Sequence, residues 1–154
     1  MLHRRHLLIG FGGGAVMAAL PAAATEAEPP EEFRLAWAEA LGSRQPKPGR
    51  IFLELPALAE SGNAVPLTVR VESPMTEREF AKRLLLFDPF NPRPRLCTVH
   101  WTPWSGRAEF TTKIRLSKSQ EVIAVAELSD GSLWQARQSV AVTIGACESL
   151  GFRN

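Results

Sequence analysis

The chain has 154 residues, with 18 Lys and Arg against 16 Asp and Glu and two cysteines. That length suits one domain with a real hydrophobic core, and two cysteines exclude a miniature scaffold built from disulfides. Charges of both signs are interspersed along the chain, which excludes a nucleic-acid binder with a clustered basic face.

Residues 1–24 stand apart from the fold. Arg4 and Arg5 precede His6, Leu7 and Leu8, an uncharged apolar stretch runs from Leu7 to Leu20, and Ala22, Ala23 and Ala24 follow Pro21. An arginine pair, a short apolar run and small residues at a cleavage point read as a signal peptide for twin-arginine export. The run has 14 residues, four of them glycine, against the roughly 20 apolar residues that a membrane-spanning helix needs. The expected destination is the bacterial periplasm, with no membrane attachment after cleavage. Cleavage also removes His3, His6, Arg4 and Arg5, so His100 is the one histidine left, and the mature chain is near neutral with 16 basic and 16 acidic residues.

Thr25 to Phe33 is an acidic, proline-rich lead-in. "PEEFRLAWAEALGS" then reads as a short helix: Pro30 suits its first turn, Glu31 and Glu32 favour its positive N-terminus, and Gly42 suits the position just past its end. Phe33, Ala36, Trp37, Ala40 and Leu41 form one apolar stripe, which either caps a sandwich end or meets a partner. "SRQPKPGR" is a linker.

From there the period changes to two. "RIFLELP" places Ile51, Leu53 and Leu55 on one face, and "PLTVRVES" sets Leu67, Val69 and Val71 against Thr68, Arg70 and Glu72. "FAKRLLLFD" is apolar without clean alternation, as in a strand covered on both faces. "LCTVHWTP" puts Cys97, Val99 and Trp101 on one side and Leu96, Thr98 and His100 on the other. "RAEFTTKIRL" alternates throughout, and "EVIAVAEL" and "LWQARQSVAVTI" flank "SDGS", where Asp130-Gly131 signals a hairpin. About seven short strands punctuated by Gly, Pro and Asn clusters predict an all-β fold, an immunoglobulin-like antiparallel β-sandwich preceded by one short helix.

Few groups offer chemistry. There is no phosphate-cradling glycine loop and no nucleophile elbow, and Cys97-x-x-His100 on a strand points its two side chains to opposite faces, so no metal site is expected. The carboxylates read as solvated face or loop charges, the "TEREFAKR" segment as a solvated turn, and the four tryptophans as core or interface fillers. Cys97 reads as a small buried hydrophobe. Cys147 differs. Val140, Val142 and Ile144 mark the inward face of the last strand and the pattern stops at Gly145, which leaves a thiol on a leash of roughly 10 Å. Three uses suit it: a disulfide to Cys97, a disulfide to another protein, or covalent carriage of a group passed between enzymes.

The stretches "GRIFLELPALAESGNAVPLTVRVESPMTE", "NPRPRLCTVHWTPWSGRAEFTTKIRLSKSQEVIAVAELSDGSLW" and "VAVTIGAC" resemble SoxY, the sulfur-carrier subunit of the bacterial thiosulfate-oxidising (Sox) system. The likeness runs from about Glu31 to Cys147. It implies a non-catalytic carrier without a cofactor of its own, paired as a heterodimer with a second sandwich subunit, SoxZ. It also implies service by a haem enzyme that joins thiosulfate to the carrier sulfur, a manganese hydrolase that releases sulfate, and a sulfane dehydrogenase. By position, Cys147 matches the cysteine of covalent sulfur attachment on a Gly-Gly-Cys-Gly-Gly arm, Gly145 matches the first arm glycine, Ala146 replaces the second, and Glu148 and Ser149 replace the last two. Those replacements stiffen the arm, and the Glu148 carboxylate disfavours a neighbouring thiolate. Cys97 also departs from the family, whose carriers typically hold only the arm cysteine. The resulting division is a signal over 1–24, a helix and linker over 25–49, a sandwich over 50–144, and a carrier arm with its extension over 145–154. An alternative reading is an interaction module that binds a SoxZ-like partner without carrying sulfur.

Overall fold

The computed structural model describes residues 28–146; the signal expected at 1–24 and the tail from Cys147 onward, Glu148 included, lie outside the described residues. Helix α1 spans Glu31–Leu41 and is followed by nine strands: β1 (Lys47–Pro48), β2 (Ile51–Glu54), β3 (Leu58–Ser61), β4 (Val65–Val71), β5 (Ala81–Phe87), β6 (Arg95–His100), β7 (Glu109–Ile114), β8 (Gln120–Leu128) and β9 (Leu133–Ile144). They form two sheets. The larger has the order β1-β9-β8-β5-β6 with β3 also pairing β9, and the smaller has the order β2-β4-β7. This is the expected immunoglobulin-like sandwich with one N-terminal helix.

The period-two stretches become strands with one buried face. In β4, Val65, Leu67, Val69 and Val71 are buried while Pro66 and Arg70 are exposed, and with Ile114, Leu116, Val122, Ala124 and Val140 they form the core between the sheets. The "LLLF" run is covered on both sides: Leu84 and Leu86 face the inter-sheet core, while Leu85 and Phe87 face outward. What covers the outward face is α1. Its stripe packs Phe33 and Leu41 on Leu85, Phe87, Ile123, Val125 and Leu133, and Phe33 and Trp37 contact the Phe87 ring at 6.0 and 5.1 Å. The helix therefore lies across the broad face of the larger sheet rather than capping an end. Pro30 precedes the first turn instead of forming it, and its carbonyl accepts the amides of Phe33 and Arg34. Gly42 ends the helix at φ +63° and donates to Ala38.

Two strands were not visible in the periodicity. The segment read as a linker contains β1, and the chain switches to the smaller sheet for β2 and back for β3. Both β1 and β3 pair parallel with β9, at Lys47↔Trp134 and Leu58↔Ala141. At two and four residues they are too short to show a period, and pairing with β9 is what orders them. The predicted Asp130-Gly131 hairpin forms, with Gly131 at φ +81°.

Glu127 also departs from expectation. Its side chain is only 12% exposed and meets Arg83 and Arg44, and Arg83 also donates to Ala40 at the end of α1. Burial pushes its carboxyl up, but the two arginines outweigh that and hold it below the usual range. A lowered folded-state pKa stabilises above the unfolded value and is lost as pH falls through the folded one. Glu127→Gln should therefore cost about 1–2 kcal/mol at pH 7, and the difference from the unsubstituted protein should shrink below about pH 4, read by urea denaturation.

Candidate functional site

The described residues end in a three-way junction, one residue before Cys147. β9 runs to Ile144, and β3 lies parallel to its last residues with Ser61 opposite Ile144. The next residue, Gly62, donates its amide to the Ile144 carbonyl at 2.8 Å, and its own carbonyl accepts the Leu116 amide at 2.8 Å. Ala146 closes the junction by donating to the Leu116 carbonyl at 2.9 Å. Gly145 and Ala146 are both buried. The strand pattern ends where the sequence reading placed it, but Gly145 and Ala146, read there as the start of the carrier arm, are part of the rigid body. Ile144, expected on the inward face, is 48% exposed, because β9 has by then run past the end of the core.

Gly62 is glycine for a steric reason. A Cβ there would lie 2.1 Å from the Leu116 carbonyl oxygen and 3.0 Å from the Ala146 nitrogen. A second clamp holds β9 just upstream, where Ser119 Oγ accepts the Val142 amide at 2.8 Å.

The Leu116 side of the junction rests on a polar network. Asn91 Nδ2 donates to the Arg115 carbonyl at 2.6 Å, Asn91 Oδ1 accepts the Ser117 amide at 3.0 Å, and Ser117 Oγ donates to the Phe90 carbonyl. The Phe90 amide donates to Asp88 Oδ1 and to Gln120 Oε1, and Gln120 Nε2 donates to Asp88 Oδ2 at 2.8 Å. Asp88 has no solvent exposure. Desolvation raises its pKa to about 7, against the opposing pull of the Phe90 and Asn91 backbone and of Lys118. The expectation that every carboxylate is solvated is thus wrong for Asp88: the proline-rich turn folds it inward onto Gln120. Alternation assigns no face within a turn, so its burial could not be read from the chain.

Cys97 is a free cysteine and half-buried rather than buried. It packs on the inter-sheet core from β6, an edge strand, and burial pushes its thiol pKa up. Its neighbours in register are Leu86, Ala124 and Ala136, so Ile144 lies eight residues farther along β9, on the order of 25 Å along the strand direction. A disulfide needs Cα atoms within about 7 Å, and Ile144 stands well outside that range of Cys97; Cys147 itself lies outside the described residues. His100 sits exposed on β6, on the opposite side from Cys97. Of the tryptophans, Trp101 is buried in the core, Trp134 carries the Arg50 guanidinium over its ring, and Trp104 is 82% exposed. The sequence reading missed Gly62, Asp88 and Gln120. Gly62 had a signal in the "ESGN" turn, whereas the buried pair had none.

Comparison with known proteins agrees with this arrangement. The family profile described as "Sulfur oxidation protein SoxY" matches residues 37–147. No curated protein matches the chain. Among solved structures, the sulfur carrier protein SoxY from Chlorobium limicola f thiosulfatophilum is 27% identical with a TM-score of 0.61, covering 73% of this chain and 97% of that one. The superoxide reductase (neelaredoxin) from Ignicoccus hospitalis is 23% identical with a TM-score of 0.54, covering 61% of this chain and 80% of that one. A likeness at that identity shows a shared sandwich and no more. The profile spans both sheets, the Gly62 junction and the cysteine that follows it: the chain belongs to the SoxY family.

Proposed function

We propose that this chain is a sulfur carrier of bacterial sulfur oxidation, exported to the periplasm by residues 1–24, which holds sulfur intermediates covalently on Cys147. In this reading it supplies no catalytic step of its own. A SoxZ-like subunit pairs with it, and the haem, manganese hydrolase and sulfane dehydrogenase components act on the group it presents. The observation that supports the reading is the family match, which reaches Cys147, on a sandwich whose last described residue, Ala146, is held to the rigid body. A carrier thiol needs a fixed body beside it because its enzymes must find it at a reproducible distance from that body.

Intact-mass spectra of mature protein isolated under thiosulfate-oxidising conditions should show sulfur-containing adducts, and Cys147→Ser should show none while melting within a degree or two of the unsubstituted protein. A clean thiol in the unsubstituted protein would sink the reading. The burial of Gly145 and Ala146, two residues that would swing in a glycine arm, favours the alternative of an interaction module. Ending the chain at Ala146 keeps the junction and removes the thiol. Carriage predicts that sulfur oxidation then stops, and the interaction module predicts that it continues with partner binding unchanged.

A further inference from the structure

The two long sides of the sandwich are finished differently. On one side the chain crossing from β2 to β3 closes the gap: Gln138 Nε2 donates to the Leu55 carbonyl and the Ala141 amide to the Ala57 carbonyl, both at 2.9 Å. On the other side β6 and β7 are free edges, and a groove of about 550 Å³ opens between them. Its floor is the half-buried margin of the core, with Leu96, Cys97 and Phe110. The backbone of β6 is open as well. The Trp101 amide donates to the Lys82 carbonyl, and residues of an antiparallel pair alternate between bonding the neighbour and facing away. Thr98 and His100 therefore turn their amides and carbonyls to the open side. Such an edge is a template for an added strand.

Charge selects the occupant. Arg93, Arg95, Lys113 and Arg115 border the groove where β6 begins and β7 ends, and no carboxylate lines it. Arg95 is turned to Glu39 at 3.4 Å, whereas the other three make no ion pair with any described carboxylate. A second copy offering the same basic edge is repelled, and an acidic strand is attracted. We propose that this edge docks an extended acidic segment of another protein. The segment adds a strand to β6 and lays alternate apolar side chains on Leu96, Cys97 and Phe110. Its carboxylates meet Arg93, Lys113 and Arg115. The inference does not depend on sulfur carriage.

Cys97 reports on the groove. In Cys147→Ser protein it is the one thiol left. The probe is a blocked peptide, Glu-Glu-Val-Thr-Val-Thr-Val-Glu-Glu, acidic at both ends so that either strand direction is served. At about 1 mM it should slow alkylation of Cys97 by iodoacetamide at least about fivefold. The same peptide with lysine in place of glutamate should give no protection. In the Arg93→Gln, Lys113→Gln, Arg115→Gln triple variant the Kd of the acidic peptide should rise about tenfold. Alkylation of the peptide-free variant should match that of its parent, which shows the groove intact. Hydrogen exchange of the Thr98 and His100 amides should slow about tenfold on binding, with the β2 amides unchanged. No protection of Cys97, or protection without slower exchange at Thr98, would overturn the proposal. Equal protection by the lysine peptide or by sulfate would do the same, and would leave the groove to apolar contact or to small anions. Protection that grows with protein concentration and needs no peptide would assign the edge to a second copy instead.

Discussion

Gly62→Ala should destabilise the protein by about 2–4 kcal/mol and free the root of the tail. The added Cβ falls 2.1 Å from the Leu116 carbonyl oxygen and 3.0 Å from the Ala146 nitrogen. Both are backbone atoms, so no rotamer change relieves the clash. Overpacking of this kind costs about 1–3 kcal/mol, and each hydrogen bond lost from the junction adds about 1 kcal/mol. Three bonds meet there: Gly62 to Ile144, Leu116 to Gly62 and Ala146 to Leu116. Urea denaturation gives the stability change. Hydrogen exchange at the Ala146 amide gives the local one, and protection there should collapse while the β8 amides, deep in the larger sheet, fall only by the global loss. An unaltered Ala146 amide would mean that the junction does not anchor the tail.

The stability of the protein should also fall as pH rises from about 4 to 7, because of Asp88. Its carboxyl is unexposed and ionises near pH 7 in the folded protein, against a reference value of 3.8. Between those values the folded state binds one more proton than the unfolded state, so the slope of stability with pH is negative. The stabilisation is complete below pH 4, declines through neutrality and is gone above the folded-state value. Three pKa units amount to about 4 kcal/mol. Asp88→Asn keeps the shape, accepts the Phe90 amide through Oδ1 and, with the Gln120 amide turned over, donates Nδ2 to Gln120 Oε1, but it cannot ionise, so it should flatten this dependence and be the more stable protein at pH 8. Urea midpoints at pH 4, 6 and 8 for both proteins decide it, and parallel curves would exclude Asp88 as the source.

The chain's own alternation located most of the sandwich. Leu67, Val69 and Val71, like Ala108, Phe110, Thr112, Ile114 and Leu116, show their inward faces because one side of each strand meets the core and the other meets water. The unbroken apolar run at Leu84 to Phe87 disclosed a strand covered on both faces, and the stripe from Phe33 to Leu41 disclosed a helix with one face to bury. Neither showed that each covers the other. That pairing depends on where the larger sheet turns its outer face, which is a property of the assembled fold.

The same division holds at the candidate site. Sequence alone marked Cys147 as a thiol beyond the last strand, since a break in period two is local. Only the tertiary structure pinned Gly145 and Ala146 to the body, because the bonds that hold them come from Gly62 and Leu116, residues far away along the chain. Only the fold turned Asp88 inward and set Arg93 and Arg115 around one groove, since backbone pairing and burial join segments whose sequence separation hides their contact. What the sequence by itself determined was which residues face a core and where the thiol stands. What the tertiary structure decided was that Gly145 and Ala146 belong to the rigid body and that Asp88 is buried, because both are set by long-range hydrogen bonds and burial that no local pattern encodes.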